Sequence, residues 1–128
     1  MITYQEVLEI HEVLIEAFGG ASGVRDEGLL QSAIDRPFAG FEDAEFYNTP
    51  AEKAGAMVES IVKNHPFVDG NKRTGYVLMR LLLMQAGRGL RATQDEKYDF
   101  VIRTASGQVA FPEIVGWTQN KLIDKRVS

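Results

Sequence analysis

The chain has 128 residues, no cysteine, two histidines (His11 and His65), and 14 Lys and Arg against 18 Asp and Glu, for a formal charge of −4. That length suits one domain, 1–128, with its own core, and the composition excludes disulfides, thiolate or histidine-rich metal sites and a broad nucleic-acid footprint. No run of about 18 apolar residues can span a bilayer, and the start Met1-Ile2-Thr3-Tyr4-Gln5-Glu6 lacks a secretory pattern, so a soluble cytoplasmic protein without membrane contact is expected.

Residues 3–18 read as an amphipathic helix. Thr3 and Glu6 form a capping box, Ile2 and Val7 a hydrophobic staple, and Gly19-Gly20 ends the segment. His11 falls on the apolar stripe and reads as a packed histidine with one hydrogen-bond partner, ahead of a functional role as the alternative. Residues 26–36 form a shorter helix stopped by Pro37. Residues 37–48 have no helical period and read as an irregular or hairpin flap. Its Phe41, Phe46 and Tyr47 serve either as a lid on the core or as a docking edge. Thr49-Pro50-Ala51-Glu52 opens a helix running to Asn64, and Pro66 predicts a boundary at His65. The next helix starts near Asn71, is apolar nearly all round to Met84, and is expected at the centre of a bundle. A connector over 87–92 follows, then a helix capped by Thr93 and Glu96. A last helix spans 111–123, before a tail frayed from Asp124. About six helices and no strand pattern predict an all-α single domain.

The chemistry concentrates in His65-Pro66-Phe67-Val68-Asp69-Gly70-Asn71-Lys72-Arg73-Thr74-Gly75. His65 is the natural general base near neutral pH. Asp69 can hold a magnesium ion through one carboxylate oxygen, with water and phosphate completing the shell. Gly70 opens backbone conformations closed to other residues, and nearby N–H groups can form an anion nest. Lys72 and Arg73 oppose the positive end of the helix they begin, a mismatch of about 0.3–1 kcal/mol each that a bound polyphosphate would reverse. The residues alone leave open a second reading, a solvated charge pair on an ordinary turn.

This stretch closely resembles the Fic/Doc superfamily motif, His-x-Phe-x-Asp/Glu-Gly/Ala-Asn-Gly/Lys-Arg, at His65, Phe67, Asp69, Gly70, Asn71, Lys72 and Arg73. Gly23-Val24-Arg25-Asp26-Glu27-Gly28-Leu29-Leu30 and Arg36-Pro37 are similar to the upstream part of death-on-curing toxins, and the helix order matches the Fic fold. The resemblance implies His65 as general base, Asp69 as magnesium ligand or orienter, and Asn71 as loop and phosphate positioner. It implies Lys72 and Arg73 as phosphate clamps, a donor site over Gly70, Asn71, Lys72, Arg73 and Thr74, and Phe67 as the loop's apolar anchor. The flap would dock a protein target through Phe41, Phe46 and Tyr47.

Lys72, where Fic adenylyltransferases carry glycine, and Tyr76, where they carry a second arginine, imply a Doc-like kinase. Such a toxin transfers the γ-phosphoryl group of ATP, with Mg2+, to a Thr or Ser hydroxyl of elongation factor Tu and stops translation. Gly70 keeps nucleotidyl transfer as the alternative, and a catalytically silent Fic-like binding module is a second. The residues 23–28 lack the hydroxyl residue of the family's inhibitory helix, which implies inhibition in trans by a small antitoxin.

Overall fold

A computed structural model of the chain describes residues 1–124. Among them are six α-helices: α1 (Tyr4–Phe18), α2 (Glu27–Asp35), α3 (Pro50–Asn64), α4 (Asn71–Gln85), α5 (Gln94–Ala105) and α6 (Phe111–Lys121). The architecture is all-α, as expected, and no described helix is long and apolar enough to cross a membrane.

Local signals place the helix starts. The hydroxyls of Thr3, Thr49 and Thr93 each accept the N–H of a glutamate three residues on, and their own N–H groups donate to its carboxylate, which satisfies two orphan donors at each terminus. Ile2 and Val7 are both buried. Asp26 lies just outside α2 and caps it, accepting the Leu29 N–H at 2.9 Å. Pro37 ends that helix within a short 3-10 turn, Arg36–Phe38.

Three expectations need correction. The flap does form a hairpin, β1 (Gly40–Phe41) with β2 (Ala44–Glu45), but a second antiparallel pair was not foreseen. In that pair β3 (Arg88–Leu90) joins β4 (Leu122–Asp124), so α6 ends at Lys121 and Asp124 is paired with Arg88 rather than frayed. The rest of the predicted tail, 125–128, lies outside the described residues. Strands of three residues are too short to show an alternation in sequence.

The third correction concerns the centre of the bundle, which is α3 rather than α4. Helix α3 packs against α2, α4, α5 and α6, and Ala51, Ala54, Gly55 and Ala56 leave little side chain to hold those neighbours off. Helix α4 is buried along one side through Leu78, Met79, Leu82 and Leu83, while Tyr76, Val77 and Leu81 stay half-buried. At the crossing, a Cβ on Gly75 would lie 2.8 Å from Val62 Cγ1, so the helices meet at a distance only glycine allows.

Candidate active site

Helix α3 delivers His65 to the surface in an unusual backbone state. His65 caps α3 with φ 50° and ψ 59°, the left-handed region. A side chain there costs about 1–2 kcal/mol relative to the right-handed well, so the surroundings must hold it. Arg25 does so from the loop just before α2, donating Nε–H to the His65 carbonyl at 2.6 Å and Nη2–H to the Asn64 carbonyl at 2.7 Å. Backbone bonds extend the grip: the N–H groups of Arg25 and Asp26 donate to Pro66 O, and that of Val68 to Gly23 O. Residues 23–26 thus lie along the loop like a short strand, with a bridge between Val24 and Phe67.

Inside the loop, Phe67 is fully buried, as an apolar anchor should be. Asn71 is buried too, and its amide closes on the Phe67 backbone, accepting the N–H at 2.9 Å and donating to the carbonyl at 3.0 Å. Its side chain therefore positions the loop and is committed there. His11, the packed histidine on α1, stacks on Phe67 and lies 2.8 Å through Nε2 from the Asp69 carbonyl oxygen. Its hydrogen-bond partner is the motif itself.

Asp69 is exposed, and its two oxygens accept the N–H groups of Ala21 at 3.1 Å and Gly70 at 2.9 Å. Those backbone bonds, Ala21 first, hold its carboxyl below the usual carboxylate range, helped by the charges of Arg73 and His11. Gly70, at φ 74°, then starts α4 without any side-chain cap. The first N–H groups of α4 have no intrahelical partner, and no acidic residue lies in that turn. Lys72 and Arg73 form no salt bridge among the described residues, and the Arg73 guanidinium rests 4.8 Å from the Phe18 ring centroid. The site thus offers anion-binding groups that no side-chain carboxylate engages in a salt bridge among the described residues.

These groups form one wall of a cleft of about 680 Å³, lined by His65, Asp69, Gly70, Asn71, Lys72 and Arg73 together with Val68 and Tyr76. Helix α5 supplies the opposite wall through Gln94, Lys97, Tyr98, Val101 and Ile102. None of these α5 residues was assigned to the site from sequence, where Tyr98, Val101 and Ile102 read only as apolar positions of their helix; Tyr98 is instead 70% exposed. Tyr76 lines the cleft, and burial pushes its hydroxyl pKa up against the pull of Arg80.

Two expected site residues are placed differently. Thr74 is buried and does not line the cleft, because it lies one helical step past Arg73 on the core side of α4. Tyr47 is held within the scaffold: its hydroxyl accepts Arg36 Nε–H at 2.9 Å, and its ring meets Phe111 edge-on. Phe41 and Phe46 are free, 69% and 59% exposed, yet no hairpin residue lines the cleft. Lys53, in the first turns of α3, ties the hairpin down through Glu45 and the Tyr47 carbonyl, whereas His65 ends the same helix.

Known proteins carry the same pattern. The profile of the Fic/DOC family matches residues 1–83. The Toxin Doc of Mycolicibacterium smegmatis is 40% identical over 93 residues, which cover 70% of this chain and 72% of that protein. The Protein kinase doc of Escherichia phage P1 is 25% identical over 114 residues, covering 88% of each. With the motif, its scaffold and these matches in agreement, the chain belongs to the Fic/DOC family.

Proposed function

We propose that this chain is a Doc-type toxin acting as a protein kinase, which moves the γ-phosphoryl group of ATP to a Thr or Ser hydroxyl of a translation factor. Elongation factor Tu is the target that the resemblance implies. The observation that carries this reading is the common wall of one cleft: an exposed imidazole, a carboxylate with a lowered pKa, and two cations without salt-bridge partners at an uncapped helix start. The names of the toxin and protein kinase relatives support it.

In this mechanism His65 takes the proton as the target's hydroxyl oxygen bonds to the γ-phosphorus. The bond from that phosphorus to the β–γ bridging oxygen breaks, and ADP leaves. Lys72, Arg73 and the first N–H groups of α4 carry the phosphate charge, so catalysis is mostly positioning and electrostatics. Asp69 fits a magnesium site in which one carboxylate serves and phosphates and water complete the shell. No cluster of three His, Cys, Asp or Glu side chains stands ready among the described residues. Such an ion would neutralise developing phosphate charge. Helix α5 would receive the nucleoside, with Tyr98 exposed for stacking and Val101 and Ile102 behind it. On the hairpin, Phe41 and Phe46 are the apolar contacts left for a protein target. A small antitoxin would silence the toxin in trans, in the cytoplasm.

Parallel incubation of cell lysate with γ-labelled and α-labelled ATP tests the proposal, with His65→Ala as control. Label from the γ position alone, lost in the control, is expected. Label from the α position alone would overturn it in favour of nucleotidyl transfer. No label from either, with His65→Ala as toxic as wild type, would point to a binding module.

A further inference from the structure

His11 is a buried polar side chain for which the mechanism has no use. It is 2% exposed in the middle of α1, and its ring lies on Phe67 with centroids 3.8 Å apart and planes 4° apart. Its Nε2 is 2.8 Å from the Asp69 carbonyl oxygen, a contact across 58 residues of sequence. A carbonyl only accepts, so Nε2 carries the proton.

That bond has a directional effect on the loop. The Asp69 carbonyl and the Gly70 N–H belong to one planar trans peptide, so holding the carbonyl direction also sets the N–H direction. The Gly70 N–H in turn donates to Asp69 Oδ1 at 2.9 Å. We infer that His11 is a positioning residue: it fixes the Asp69–Gly70 peptide and, through it, the aim of the Asp69 carboxylate and the start of α4. Helix α1 is pressed close enough to serve, since a Cβ on Gly70 would lie 3.2 Å from Ile15 Cδ1 and 3.7 Å from His11 Nε2. A histidine retained only to fill the core would owe the loop nothing beyond its ring, and the two contributions can be separated.

The test uses the full chain with His11→Phe, which keeps a stacking ring and loses the donor, and His11→Gln, which keeps a donor and loses the ring. Only the kinetic arm rests on the proposed kinase activity; amide hydrogen exchange at Gly70 and Asn71 needs no substrate. For His11→Phe, exchange at these amides should quicken about tenfold while the melt stays cooperative. Its kcat should fall about ten- to a hundredfold, the scale of a misplaced reacting group, with KM for ATP changed less than about threefold, and His11→Gln should recover part of that kcat. Wild-type exchange and kcat in His11→Phe would overturn the inference. So would equal losses in both variants that match their loss of folded protein. If the wild type transfers no phosphoryl group, the exchange rates alone decide. Should both variants unfold, the 15N spectrum of wild-type imidazoles decides: a slowly exchanging Nε2–H on His11 supports the inference, and a neutral Nδ1–H tautomer overturns it.

Discussion

Arg25 donates Nε–H to the carbonyl of His65 at 2.6 Å across 40 residues of sequence. The same guanidinium reaches the Asn64 carbonyl, so one cation closes the negative end of α3 and holds its last residue left-handed. Arg25→Ala should lower stability by about 1–2 kcal/mol, the scale of two exposed charge-assisted bonds, and lower kcat because His65 loses its aim. Denaturant midpoints and initial rates measure the two effects. Arg25→Lys should recover less than half of either, since an ammonium cannot offer the fork that spans two carbonyls.

His65 itself sets stability against chemistry. Its exposed side chain adds little packing, while its backbone sits where glycine is favoured. His65→Gly should therefore raise stability by about 0.5–1 kcal/mol, the relief of strain less the added freedom of the unfolded chain, and abolish transfer. A thermal melt beside an activity assay reads both, and an unchanged or lower melting point would mean that the left-handed cap stores no strain.

Between α5 and α6, Lys121 pairs with Glu96, which also caps α5. The Lys121 bond, followed by the Thr93 N–H, draws the Glu96 pKa from 4.5 down to about 2. A carboxylate with a depressed folded pKa stabilises in full above its unfolded value and loses that contribution as pH falls through the folded one. Glu96→Gln keeps a capping oxygen and drops the charge. Its melting point should lie below wild type at pH 7, and the gap should close between about pH 4.5 and pH 2.

Tyr98 tests the second wall of the cleft. Aromatic stacking on a base is worth about 1–3 kcal/mol, so Tyr98→Ala should raise KM for ATP about tenfold or more and leave kcat within about threefold, since in the proposed mechanism Tyr98 meets the base and not the transferred group. A fall in kcat at constant KM would mean that the nucleoside does not lie on α5.

The sequence was most legible where physics is local. The threonine–glutamate boxes, Pro50 at a helix start and the Pro66 boundary each act within one turn, and all stand in the structure. So does the order of the motif, because its residues are contiguous. What escaped is what folding brings together over distance: Arg25 under His65, His11 under Asp69, and α5 across from α4. Thr74 and Tyr47 were misplaced for a related reason. Adjacency in sequence does not say which side of a helix a residue takes, or whether a loop aromatic has a cation such as Arg36 waiting for it.

The Lys53 anchor of the hairpin and His65 stand at opposite ends of α3, and that helix is therefore a ruler. From Lys53, which anchors the hairpin, to His65, the axial distance is about 18 Å at 1.5 Å per residue. In the proposed docking, a target held at the Lys53 end of α3 would present its hydroxyl about that far away, roughly five or six residues of extended chain. A short peptide carrying the acceptor threonine alone would reach the cleft without the foothold, so a target would be measured for length before it was read for sequence.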